Sequence, residues 1–251
     1  DRPAGGAPGS AAPILALTAI AEIASRGFDE GGSVESRCFA ECATSPEARA
    51  LIGLGFTDHN LLRRRAASQN KDEGPATDAG GDGGAFVRRV ARALAEEVAA
   101  VRAEGQSPAC LSAAAAIAGY ADDVMSPLLA ARGRQSNGAD CPRRNADRGA
   151  ALSARLQFAQ AVAALGCLAD GTIMSAAETN VASVRGAGFP RRSGGVLRFI
   201  ENFGTNAFLT TAAALAARHG PRFNSPIGDA ETLARRLAMA LDYDKGQGRQ
   251  V

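Results

Sequence analysis

GAGFPRRSGGVLRFIENFG, residues 186–204, is the stretch that says most about the fold, because glycines and one proline surround a short apolar core. Glycine permits backbone angles and close approaches that other residues do not, at an entropic cost. Such a density of glycine predicts a shaped loop that leads into a helix, since a plain linker needs no defined shape. Farther along, residues 218–223, RHGPRF, again combine glycine, proline and an aromatic side chain.

Composition favours an all-α fold. The chain has 251 residues, enough for one or two domains. Apolar residues make up 46% of it and aromatics only 5%, and alanine-rich segments carry most of the apolar content. Alanine is the strongest helix former, and the long valine, isoleucine and threonine runs that favour strands are scarce.

Charge and cysteine content exclude several classes of function. With 28 basic and 26 acidic side chains the net charge is +2, so we expect no nucleic-acid partner. The five cysteines form no CxxC pair, so neither a disulfide framework nor a metal site is expected. Buried, reduced thiols fit a cytoplasmic protein. No apolar run reaches the ~20 residues that cross a bilayer, so no membrane span is expected.

Apolar periodicity divides the chain into three parts. A helical segment covers residues 1–65, a glycine-rich flexible linker covers 66–84, and a helical domain covers 85–251. Within the last part, residues 132–149 form a second polar linker. Serines that precede helical segments predict N-caps at Ser45 and Ser175, and Ser107-Pro108 predicts the start of a further helix.

Three blocks of the chain carry motifs in a consistent order. The first, about 11–66, contains APILAL at 12–17 and SPEARAL at 45–51. The second, about 85–131, contains FVRR at 86–89, SPA at 107–109 and Gly119. The third, about 146–226, contains FAQA at 158–161, the stretch 186–204 and HGPRF at 219–223.

Together these blocks resemble three parts of the multifunctional enzymes of fatty-acid oxidation, which fuse a crotonase to a 3-hydroxyacyl-CoA dehydrogenase. The first block is similar to the end of the crotonase domain and its connecting helix. The other two are similar to the two helical repeats of the dehydrogenase's C-terminal domain. The resemblance therefore implies an all-α fold whose repeats cover about 85–131 and 146–226.

Two departures from the family pattern argue against activity by this chain alone. In the family, a dinucleotide-binding domain separates the first and second blocks, whereas here only residues 66–84 stand in that place, with no strand–GxGxxG–helix unit. The family also has an active-site Asn in a Phe-Val-Asn-Arg pattern, and this chain has Arg88 at that position. A donor-only cation replaces an amide that donates and accepts.

Other candidate sites are few. The sequence Arg191-Arg192-Ser193-Gly194 precedes a predicted helix, and we expect it either to contact an anion such as a CoA phosphate or to form a structural turn. His59 is expected at a surface or helix end, and His219 at a helix C-terminus, where a cation interacts favourably with the helix dipole. No catalytic, cofactor-binding or metal-ligating residue is expected.

The sequence leads to two hypotheses that depend on the resemblance. In the first, the chain is a non-catalytic accessory module of β-oxidation that acts in assembly or binds an acyl-CoA. In the second, it is the substrate-side half of an NAD-dependent dehydrogenase, and NAD binds only when another chain supplies the nucleotide domain. In both, we expect a homo-oligomer or a β-oxidation partner protein. An unrelated helical interaction domain stays open as a third reading.

Overall fold

The computed structural model describes residues 11–69, 82–130, 146–172 and 175–247, and in these residues it confirms the all-α fold with no strand. Eleven α-helices and two short 3-10 turns, at 191–193 and 221–223, make up the described chain. The helices are α1 Ala11–Ile23, α2 Phe28–Ala43, α3 Pro46–Gln69, α4 Asp82–Ala103, α5 Pro108–Ala118, α6 Asp122–Ala130, α7 Ala146–Ala169, α8 Ala176–Arg185, α9 Val196–Phe203, α10 Thr205–His219 and α11 Ala230–Gln247.

Both predicted linkers are shorter than the sequence suggested. Helix α3 extends to Gln69 and α4 begins at Asp82, so both ends of the predicted 66–84 linker are helical. Alanines 66 and 67 have a high helix propensity, which is consistent with the extension of α3. The second predicted linker, 132–149, also overlaps a helix, because α7 begins at Ala146. Residues 70–81 and 131–145 lie outside the described residues.

The caps predicted at Ser45 and Ser175 and the helix start predicted at Ser107-Pro108 are confirmed. The hydroxyls of Ser45, Ser107 and Ser175 each accept a hydrogen bond from the backbone N–H three residues later, at 3.1 to 3.3 Å. Gly119 ends α5 in the left-handed conformation, with φ of +88°. Local chemistry therefore sets these helix ends before any tertiary contact is considered.

Helices α4 and α7 form the antiparallel centre of the helical domain. Phe86 and Val90 of α4 pack with the C-terminal half of α7, whereas Leu94 and Val98 pack with Leu152 and its neighbours near the start of α7. Helix α5 packs on α7, and α8 packs on α4. The second helix of each predicted repeat therefore packs against the first helix of the other repeat, so the two repeats pack against each other.

A buried ionic network crosses the α4–α7 pair. Arg155 donates from Nε to Glu97 at 2.8 Å and from Nη1 to Glu104 at 2.7 Å. Arg222 donates to the other oxygen of Glu97 at 2.5 Å, and His219 Nδ1 lies 3.9 Å from Glu104. The Glu97 side chain is fully buried, and these two guanidinium groups are its ion-pair partners in the interior.

A second buried polar contact joins the two repeats. The Gln160 amide donates to the Ala187 carbonyl at 2.8 Å, and its oxygen accepts the Tyr120 hydroxyl at 2.8 Å. Burial raises the pKa of Tyr120, which keeps that hydroxyl a donor. The loop after α5 and the loop after α8 are thereby tied to one side chain of α7.

The N-terminal helices are attached to the helical domain through α3. Ala50 and Leu54 of α3 are buried where this helix packs on α8 and the 191–193 turn. Helices α1 and α2 form a hairpin that packs mainly on itself, with few contacts to α3. The predicted segment 1–65 therefore contacts the 85–251 domain directly.

One long apolar helix of the described chain lies in the core. The window Gly149–Ala169 is long and apolar enough to cross a bilayer, but most of it is buried in the fold, as in the core helix of a globular domain. Cys38 and Cys167 are buried free thiols, Cys42 is half-buried and free, and Cys110 is buried. Cys141 lies outside the described residues.

Candidate functional site

The glycine-rich stretch is a shaped loop that leads into α9, as predicted. Gly188, Gly194 and Gly195 have φ of +69°, +78° and +107°, angles that L side chains rarely adopt. A Cβ on Gly195 would lie 2.6 Å from the Cα of Asn180, so the loop passes against α8 where only glycine fits.

Side chains of α8 accept hydrogen bonds from the first backbone N–H groups of α9. Asn180 Oδ1 accepts from the N–H groups of Leu197 and Arg198, at 2.9 and 3.2 Å. Ser183 Oγ accepts from the Val196 N–H at 3.1 Å. These side chains occupy the place that an anion would take at a helix N-terminus. The sequence pattern had no signal for this, because Asn180 and Ser183 belong to a different helix.

Of the four residues predicted to contact an anion, three make contacts within the fold. The Arg192 guanidinium donates to the carbonyls of Ala116 and Ile117 at 3.3 and 3.2 Å and caps α5. The Ser193 hydroxyl donates to the Pro190 carbonyl at 2.6 Å.

The remaining two residues of that group differ sharply in exposure. Gly194 is buried against Ala50 of α3, which its missing side chain permits. Arg191 is exposed, and within the described part of the chain no ion pair holds its guanidinium. It is therefore the member of the group that is placed to meet a ligand.

Arg191 stands at the rim of a pocket of about 440 Å³ between α3, α8 and the loops after α5 and α8. The walls are mainly apolar, and Gly188 leaves room where the loop approaches α6. The apolar lining consists of Leu54, Val124, Val181, Val184 and Phe189. A pocket of this size with a few polar groups is typical of a small-molecule site.

Charged side chains also line this pocket. Asp58 of α3 and Arg185 of α8 form an ion pair there, and Asp123 of α6 is a further carboxylate in the lining. Since Asp58 already neutralises Arg185, Arg191 is the cation outside an ion pair among the described residues that line this pocket. Residues 58 and 185 are too far apart in sequence for any spacing rule to have paired them.

A second groove, of about 430 Å³, runs between α4 and α7 and contains three arginines. Each arginine has a carboxylate partner: Arg89 bonds to Asp170 at 2.5 Å, Arg92 to Glu96 at 2.9 Å, and Arg222 to Glu97 at 2.5 Å. The groove is therefore close to neutral, and it offers an anion less than Arg191 does.

Acid–base chemistry has little support at either histidine. His59 is exposed on α3. His219 lies at the C-terminus of α10 as predicted, but burial and the charge of Arg155 lower its pKa, which favours the neutral ring rather than the expected cation. Among the described residues, no group of three or more His, Cys, Asp or Glu side chains is placed to hold a metal ion.

The position of Arg88 is clear of both cavities. It is exposed on α4 and lines neither the 440 Å³ pocket nor the α4–α7 groove.

No known protein-family model matches this chain, and no solved structure matches it at a significant level.

Proposed function

We propose that this chain is a non-catalytic accessory module related to the 3-hydroxyacyl-CoA dehydrogenases of β-oxidation, and that it binds an acyl-CoA without hydride transfer. The observation that carries the proposal is the exposed Arg191 at the rim of a pocket of about 440 Å³, whose lining combines an apolar wall with the Asp58–Arg185 pair and Asp123. An acyl-CoA has the matching parts, an apolar acyl chain with a pantetheine arm and anionic phosphates.

The parts of the pocket have separate roles in this proposal. The Arg191 guanidinium donates to a phosphate, because charge-assisted hydrogen bonds to a planar fork are strong. The apolar wall of Leu54, Val184 and Phe189 takes the acyl or pantetheine portion out of water. The Asp58–Arg185 pair closes one side of the pocket and, being neutral overall, does not repel the ligand.

Titration calorimetry with acetoacetyl-CoA tests the proposal. We expect Arg191→Ala to weaken binding about tenfold, since a hydrogen bond to a charged group contributes ~1.5 kcal/mol. The matched control is Arg235→Ala, because Arg235 is an exposed helical arginine that lines neither cavity. Wild-type protein that does not bind acetoacetyl-CoA, or equal losses in the two variants, would refute acyl-CoA binding at Arg191.

The same samples test the alternative, a substrate-side half that needs a nucleotide-binding domain from another chain. Purified chain, acetoacetyl-CoA and NADH are mixed, and NADH absorbance is followed with and without candidate partner chains. We expect no turnover in either case, because Arg88 stands where the resembling family has its active-site Asn. Turnover only with a partner would establish the alternative, and turnover by the chain alone would contradict both hypotheses.

Location in the cytoplasm and association with a β-oxidation partner belong to this proposal as well. The free thiols of Cys38, Cys42 and Cys167 are compatible with a reducing compartment. NAD has no part in the module's action unless a separate nucleotide-binding domain supplies its site.

A further inference from the structure

Exposed apolar side chains are concentrated in the N-terminal helices. Of the eleven large apolar residues exposed in the described chain, nine lie in α1, α2 and α3. They are Ile14, Leu17, Ile20, Phe28, Phe39, Leu51, Ile52, Phe56 and Leu62. An apolar surface of this extent marks an interaction site on a protein more often than a free surface.

Helix α2 presents one outer face that combines aromatic and acidic groups. Phe28, Glu35 and Phe39 are spaced by seven and four residues, which places them on one side of a helix with 3.6 residues per turn. Phe28 is 96% exposed and Phe39 is 71% exposed. Glu35 is exposed and has no ion pair within the described residues.

Helix α3 presents the complementary face. Ile52, Phe56 and Arg63 lie on one side of α3, opposite the side on which Ala50 and Leu54 are buried against the helical domain. Ile52 is 52% exposed and Phe56 is 68% exposed. Arg63 is exposed, and none of the ion pairs in the described part of the chain includes it.

The charge of the α1–α2 hairpin is also opposite to that of the rest of the chain. Residues 11–45 contain five acidic and two basic side chains, although the whole chain has a net charge of +2. The α1–α2 hairpin is therefore acidic and the rest of the molecule is basic. In a dimer, the acidic hairpin of each copy can lie near basic groups of the other copy, which favours association electrostatically.

We propose that a second copy of this chain covers these faces, in a two-fold symmetric dimer in which α2 of each copy packs on α3 of the other. Two-fold symmetry makes this contact occur twice, because α2 of each copy packs on α3 of the other. Phenylalanine side chains pack in the centre of each contact, and Glu35 of one copy pairs with Arg63 of the other. The interface is independent of the Arg191 pocket.

Size-exclusion chromatography with light scattering tests the dimer across a wide range of protein concentrations. We expect the mass of two chains for the wild-type protein, and dissociation toward the monomer in Phe39→Ser. The matched control is Met239→Ser, because Met239 is a 67% exposed apolar residue on α11, away from these faces. A wild-type monomer at every concentration, or equal dissociation in both variants, would overturn the proposal.

A charge exchange tests the pairing of α2 with α3. Glu35→Arg and Arg63→Glu should each weaken the dimer about tenfold, because each places like charges in contact twice. In an equimolar mixture of the two variants, both contacts of a mixed dimer again join opposite charges, so the mixed dimer should be as stable as the wild-type dimer. A mixture that associates no better than either variant alone would disprove this arrangement. Circular dichroism checks that both variants keep their helices.

Discussion

Arg155 donates two hydrogen bonds to Glu104, at 2.7 and 2.9 Å, and ties the first half of α7 to the residue that follows the end of α4. Arg89 makes the reciprocal contact, from the first half of α4 to Asp170, which follows the end of α7. The same sequence offset separates the two arginines and the two acids. The antiparallel α4–α7 pair thus carries one ionic contact at each end, related by a pseudo-two-fold axis.

The two contacts differ in burial, and this difference predicts different costs of removal. Arg155→Ala leaves the fully buried Glu97 with one partner fewer, so we expect a loss of ~3–5 kcal/mol in the free energy of unfolding. Arg89→Ala removes a half-exposed pair and should cost about 0–1 kcal/mol. Urea unfolding of both variants measures the difference, and equal losses would show that burial does not decide the outcome.

The Tyr120–Gln160 hydrogen bond gives a second prediction about the centre of the fold. Tyr120→Phe leaves the buried Gln160 oxygen without its donor, so we expect a loss of ~1–3 kcal/mol in unfolding free energy. In the Gln160→Leu background the same substitution should cost less, because the acceptor is already absent. Urea unfolding of the four proteins in a double-mutant cycle gives the coupling, and additive effects would contradict a direct bond.

Glycine substitutions test the shaped loop. Gly195→Ala should destabilise the protein by several kcal/mol, at least ~3 kcal/mol, since it adds backbone strain at φ of +107° to a clash with Asn180. Gly53→Ala is the control, because an added Cβ there meets nothing within 4 Å and lies inside α3. That variant should be stabilised by about 0.5–1 kcal/mol. Thermal and urea unfolding compare them, and a tolerated Gly195→Ala would mean that the loop adopts another course.

His219 makes stability depend on pH in a predictable direction. Burial and nearby Arg155 lower its pKa below the ordinary value of 6.5, so the unfolded chain binds the proton more readily than the folded protein does. Its contribution is therefore present above about pH 6.5 and is lost as the pH falls through that value toward the lower folded pKa. Glu104 also has a lowered pKa, through the Arg155 hydrogen bond, but that group titrates below its ordinary value of 4.5.

We expect wild-type protein to lose stability between about pH 7 and pH 5.5, and His219→Gln to lose less over the same interval. Urea midpoints at several pH values measure both. A variant with the same pH dependence as the wild type would assign the effect to other groups.

Much of the helical pattern could be predicted from local sequence. Ser107 and Ser175 each sit before a helical segment, and a serine hydroxyl in that place bonds to a nearby backbone N–H whatever the rest of the molecule does. The helix that continues to Gln69 was missed, because its last turns lack the apolar stripe on which the prediction depended.

The candidate site was predictable only in part. An anion contact was predicted at Arg191 through Gly194 because two arginines precede a helix there. In the structure Arg192 donates to carbonyls at the end of α5, and of these four residues Arg191 alone lines the pocket. The partners of Arg192 lie in another helix, and periodicity within one helix contains no information about which helices meet.

The sequence by itself determined the helices, their caps and the glycine turns, because these depend on contacts within a few residues. Only the tertiary structure decided that Asn180 occupies the N-terminus of α9, that Arg155 holds a buried carboxylate, and that Arg191 lines the pocket outside every ion pair of the described residues. Those outcomes depend on groups from distant parts of the chain that meet at hydrogen-bond distance, where burial sets the strength of each contact.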